Sequence, residues 1–151
     1  MFTHVVKCTG NYISVPSTPL EPLEVMVPVV IAKSEKSFIF TTTKYLPVTP
    51  QKIKSIDSYI KNLKFEVVKG FVIYDVTVCQ KVFYVYSDRV MMQSYCDVFS
   101  GSIPIPNAKK GLEVKADTGV EIFYNSHDLD ILEQVLINMR LQLLEYRNIV
   151  L

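Results

Sequence analysis

His127, Asp128 and Asp130 stand within four residues of one another, and imidazole beside carboxylates is the raw material of a metal site or an acid–base pair. Their setting, Asn125–Asp130 (NSHDLD), is the ordinary composition of a solvated turn. Ser58-Tyr59-Ile60-Lys61 fits S-x-x-K, the spacing of an activated serine nucleophile, yet the S-D-N and K-T-G elements that complete that machinery are missing. The five glycines stand apart, at positions 10, 70, 101, 111 and 119, so no loop can cradle a phosphate. Nine tyrosines and eight phenylalanines could stack on sugars or on single strands, but in a β protein such residues ordinarily fill the core and pair across strands. His4 has no partner visible in the sequence. We therefore expect no catalytic residue, no metal and no cofactor.

Cys8, Cys79 and Cys96 carry the remaining reactive chemistry. Their spacing matches no zinc or redox CxxC pattern. In a reducing compartment all three would stay thiols. If two pair within the chain, the third is left for a partner or stays free.

The composition narrows the partners. The chain has 151 residues, 49% apolar and 21% charged, with a net charge of +1. That supports one domain, or one domain plus an arm, with apolar surface to spare. A nearly neutral chain carries no electrostatic footprint for nucleic acid or for an anionic membrane, and it resists self-association poorly. No run of 18 apolar residues predicts a transmembrane helix, and MFTHVVKCTGNY lacks the basic and apolar regions of a signal peptide. Synthesis in the cytoplasm without a signal peptide is the expectation.

The elements that must position these groups are mostly strands. Residues 1–22, with Pro16, Pro19 and Pro22, read as an extended arm in which Tyr12-Ile13-Ser14-Val15 has strand character. The arm could cover a neighbouring subunit's sheet edge, with Cys8 placed for a covalent link, or it could be the first strand of its own domain. Residues 23–151 form the domain proper. Leu23–Ala32 is a strand broken by Pro28, Ser34–Ser37 a turn and Phe38–Tyr45 a strand. Gln51–Ile60 fits either a helical turn or the start of a strand.

Phe71–Tyr86 alternates most clearly. Val72, Tyr74, Val76, Val78, Val82 and Tyr84 share one parity, interrupted by Gln80, where the length predicts a bend. If Ser87-Asp88 is a two-residue turn, the return strand Arg89–Val98 pairs Tyr86 with Arg89 and, unless a bulge shifts the register, brings Cys79 opposite Cys96, with Cβ atoms about 4.5–5.5 Å apart, at the limit for a disulfide. Leu112–Lys115 and Gly119–Tyr124 read as short strands. Leu132–Tyr146 satisfies helical spacing and alternation alike, and the context of the other strands makes it a strand. Eight or so strands with Pro, Gly and Asn turns predict an all-β fold, an antiparallel β-sandwich or jelly roll.

An ordered series of segments resembles the SPOCS domain of spore-coat and sporulation assembly proteins of endospore-forming bacteria. It runs through Pro28–Ala32, Leu46-Pro47 to Pro50, Ile53, Ile56, Val68–Val72, Val98–Pro104, Gly111–Val114 and the alternating Leu136–Leu143, and covers roughly residues 25–145. Gln51-Lys52 replaces an aspartate usual after the second proline, and Val98-Phe99 stands where Pro-Phe is usual. The resemblance implies a structural subunit of a spore surface layer, fibre or appendage, with itself or other spore-coat proteins as partners. An alternative it implies is a monomeric adaptor that binds a coat morphogenetic protein through a sheet edge. Family members carry the domain beside modules such as LysM, for which this chain has no room, so a stand-alone subunit laid down on the spore surface is the expectation.

Overall fold

The computed structural model describes residues 4–13 and 24–150. Among these there are seven strands and no helix: β1 (His4–Ile13), β2 (Glu24–Tyr45), β3 (Lys52–Val68), β4 (Phe71–Tyr86), β5 (Arg89–Pro104), β6 (Glu113–His127) and β7 (Asp130–Val150). They form two antiparallel sheets, ordered β1-β6-β7-β2 and β3-β4-β5, which face each other as a β-sandwich. The alternation that marks β4 in sequence is the alternation of its burial. Val72, Tyr74, Val76, Val78, Val82 and Tyr84 all point inward and are buried. Opposite them β7 turns in Ile131, Val135, Ile137, Met139 and Leu141.

Several expectations change in detail. Ser34–Ser37 is not a turn: β2 runs unbroken through it, paired with β7 from Leu141 to Asn138. Its polar residues fit because β2 is an edge strand with one face in water. Residues 112–124 do not hold two short strands, since Glu113–His127 is a single strand. Gln51–Ile60 resolves as strand, and Leu132–Tyr146 lies within β7. No register break occurs at Gln80. In the three-stranded sheet the irregularities lie on β3, between Ile53 and Ser55 and between Ile60 and Asn62, and bulges of this kind accommodate the twist of a long ladder.

Two tight turns set the second sheet. Gly70 ends the β3–β4 connection at φ 81°, in the left-handed region that glycine enters without a Cβ penalty. Its N–H donates to Ala108 O (2.9 Å) and its carbonyl accepts from Ile105 N–H (2.9 Å), tying the β5–β6 loop to that hairpin. The β4–β5 turn is Ser87-Asp88, with φ of 50° and 58°, the signature of a two-residue type I′ hairpin. Tyr86 therefore pairs with Arg89, and Cys79 with Cys96.

The backbone of β1 pairs along its whole length with β6, from His4 opposite Tyr124 to Ile13 opposite Lys115. In this chain His4–Ile13 thus lies as a strand of the four-stranded sheet. Ser14 and Val15 lie outside the described residues.

Gly101 opposes Tyr74 across the β4–β5 ladder, and the buried ring occupies the space a side chain would need. A Cβ there would overlap the Tyr74 hydroxyl and ring. Gly101→Ala should therefore destabilise the fold by about 1–3 kcal/mol through overpacking. Gly119→Ala, where a Cβ meets nothing within 4 Å, should stay within about 0.5 kcal/mol of the wild type. Urea midpoints of the two variants check the contrast.

Candidate functional site

The inward row of β4 is interrupted once, by Gln80, between Val78 and Val82. The inward row of β7 is interrupted by Glu133, between Ile131 and Val135. The two meet. Gln80 Nε2 donates to Glu133 Oε1 at 2.8 Å across the sandwich. Gln80 is 2% and Glu133 0% exposed. The end of β2 adds Thr42, whose Oγ1 lies 3.3 Å from the same carboxylate oxygen, and Lys44, whose Nζ lies 3.6 Å from it. Lys44 also pairs with Asp97 of β5. This polar seam links both sheets and separates two apolar clusters. The larger holds Val72–Val78 and Val135–Leu143 positions; the smaller holds Leu46, Ile56, Val82, Tyr84, Tyr124 and Ile131.

The seam is incompletely satisfied. Gln80 Oε1 and Glu133 Oε2 are buried without a hydrogen-bond partner. Both are acceptors left over from one hydrogen-bonded pair, so a proton on the carboxyl could serve both. Burial pushes the Glu133 carboxyl above its ordinary value; Gln80, Lys44 and Thr42 draw it down, and Asp97 raises it further. Lys44 already has Asp97 as a counter-ion, so a neutral Glu133 leaves the seam without a net charge.

The seam sits beside the hairpin that holds the cysteines. Cys79 and Cys96 have their sulfurs at bonding distance, 2.10 Å, on the outward face of the three-stranded sheet. Their Cα atoms are 4.1 Å apart, the close approach of a non-hydrogen-bonded antiparallel pair. The turn that places them is clamped from outside. Gln51 Oε1 accepts from Asp88 N–H (3.0 Å), Gln51 Nε2 donates to Asp88 Oδ1 (3.3 Å), and Gln51 N–H donates to Val85 O (2.7 Å).

Cys8 lies elsewhere, on β1 opposite Val120, half-buried against the larger cluster. Burial pushes its thiol above the ordinary value, offset in part by the Ser58 hydroxyl, which has no other partner. A raised thiol pKa lowers the thiolate fraction and with it the rate of disulfide exchange. Tyr12 and Ile13 pair with Ala116 and Lys115. Ser58 and Lys61 lie on an irregular stretch of β3, with Lys61 exposed. His127 ends β6, paired with Asp130, and Asp128 sits in the β6–β7 turn, their side chains 90% and 76% exposed. No group of metal-ligating side chains occurs among the described residues.

The second feature is an open strand edge. Among the described residues four strands end the sheets: β1, β2, β3 and β5. An open edge is a row of backbone donors and acceptors that must be covered, disrupted or used. β1 is the shortest, at 10 residues. β2 carries Pro28, which has no N–H to offer, and a register shift at Val30/Ala32. β3 carries two register shifts and the exposed Lys52, Lys54, Lys61 and Lys64. β5 has neither a bulge nor a lysine across its 16 residues, and it exposes Val90, Met91, Met92 and Val98, the last at 63%. Sequence alternation gave no sign of this edge, because strand order is a property of the assembled sheet.

The seam makes a pH dependence. Below the ordinary glutamate range both the folded and the unfolded chain hold the proton, so Glu133 costs nothing. As pH rises through that range to the raised folded value, the unfolded chain releases its proton first and stability falls; above it the loss is constant. Glu133→Gln removes this loss while keeping an amide beside Gln80. Its stability relative to wild type should be greater near about pH 8 than near about pH 4. Urea midpoints at the two pH values read the difference; a difference independent of pH would show that Glu133 is ionised equally in both states.

Compared with known proteins, the chain matches no family model, no curated protein and no solved structure.

Proposed function

We propose that this chain is a structural, self-assembling subunit of a bacterial spore surface layer or fibre, whether coat, exosporium or appendage. The observation that carries the assembly half of this reading is the β5 edge, long, straight, free of lysine and flanked by exposed apolar side chains. Strand addition to such an edge gives affinity through main-chain hydrogen bonds and specificity through alternate side chains. The spore half rests on the ordered segments that resemble the SPOCS domain, from Pro28–Ala32 to Leu136–Leu143.

A disulfide between Cys79 and Cys96 suits such a role, because it closes once material leaves a reducing cytosol. Cys8 is a further candidate for a covalent link between subunits. With β1 held in its own sheet that link would follow assembly rather than start it.

Purified protein should elute above its monomer mass and show regular sheets or fibres by negative-stain electron microscopy. A folded monomer at every concentration, captured by a spore-coat protein, would replace this reading with that of an adaptor working through the same edge. Cys8→Ser should leave assembly intact and make the product easier to dissociate by denaturant. An unchanged dissociation profile would show that Cys8 links nothing.

A further inference from the structure

The register of the β4–β5 hairpin decides which groups β5 offers to solvent. A two-residue type I′ turn makes its flanking residues a hydrogen-bonded pair, so Arg89 turns its N–H and C=O toward Tyr86 of β4. Every second residue from there does the same. The even-numbered residues, Val90, Met92, Ser94 and Cys96, therefore turn theirs to the open side. The 4.1 Å Cα separation of Cys79 and Cys96 agrees, because that close spacing belongs to pairs that do not exchange hydrogen bonds.

β5 contains two charged residues, Arg89 and Asp97. They have opposite signs and the same parity. When two copies of β5 meet antiparallel about a two-fold axis, a single register brings each arginine opposite the other copy's aspartate. That register places Gln93 on the axis and pairs Met91 with Tyr95, Met92 with Ser94 and Val90 with Cys96. It matches even residues with even ones, which is what the open backbone groups require. It leaves no like charges opposed and sets the Met91 thioether against the Tyr95 ring, a favourable sulfur–aromatic contact. Lys44 contacts Oδ2 of Asp97, and the carboxylate has a second oxygen to offer an arginine.

We infer that β5 pairs with β5 of a second copy in the register Arg89 opposite Asp97, joining two three-stranded sheets into one continuous sheet. The inference rests on the self-assembly reading and names its contact. A two-fold contact closes a dimer, so a layer or fibre grows by adding a second surface to this building block.

Cross-linking tests the register. In the Cys8→Ser background, Gln93→Cys places one thiol opposite its own copy, with Cβ atoms about 4.5–5.5 Å apart. Met91→Cys places the two thiols four residues out of step, about 13 Å along the strand. Mild oxidation should give a covalent dimer on a non-reducing gel for Gln93→Cys and little for Met91→Cys. Equal yields, or none from Gln93→Cys, overturn the register. Ser94→Pro removes a donor that faces the open side and leaves the β4 ladder intact. It should yield a folded monomer, with unchanged circular dichroism, that no longer dimerises. If wild type assembles and Ser94→Pro assembles equally well, the β5 contact is wrong while the assembly reading stands. If wild type never assembles at any concentration, both fall together.

Discussion

The constraint on which the rest depends is the left-handed pair Ser87-Asp88. Two consecutive residues at positive φ are costly outside glycine, and here the neighbouring Gln51 amide grips Asp88 from both sides and holds the turn. Shifting that turn by one residue would exchange the two faces of β5. Phe99 and Ile103 would leave the core, Cys96 would leave Cys79, and Asp97 would leave Lys44. The polarity of the open edge follows from the same turn, so the internal chemistry of the sandwich and its outward-facing backbone share one determinant.

The seam shows how a mostly apolar interior can still specify alignment. Apolar side chains tolerate sliding by a residue pair, since Val and Ile rows look alike at every step. Gln80 and Glu133 do not, because each finds its hydrogen-bond partner in one alignment of β4 over β7. Lys44 and Asp97 repeat the constraint between β2 and β5. A buried glutamate is a costly way to set alignment, and Gln80 Oε1 and Glu133 Oε2 are left without hydrogen-bond partners in the seam.

Much of this was legible in the sequence where structure is local. The parity of Phe71–Tyr86, the Ser87-Asp88 turn and the facing cysteines all follow from a period of two and a short loop. The tail was legible as a strand because its alternation matched its neighbours. What escaped depends on which strands become neighbours. Gln80 was visible as an interruption of a buried row, and Glu133 shares a parity with Ile131 and Val135, but nothing in the chain order says that they face each other. The Ser34–Ser37 cluster looked like a turn because edge strands tolerate polar runs. Gln51 was legible only as a departure from the resembled pattern, not as the clamp on Asp88, 37 residues away.

The strand order also bears on the sequence of events during synthesis. β3, β4 and β5 are consecutive neighbours joined by short turns, so they can form a meander as soon as they emerge from the ribosome. Among the described residues β1 and β2 pair with β6 and β7, which follow the meander in the chain. β1 and β2 must therefore wait, unpaired, until the meander has been made and β6 and β7 appear. Pairings so distant in sequence close slowly, and waiting strands are exposed to other nascent chains. Pro28 and the bulge of β2 lie on one of those waiting strands, where the same features that guard a finished edge would also disfavour premature pairing.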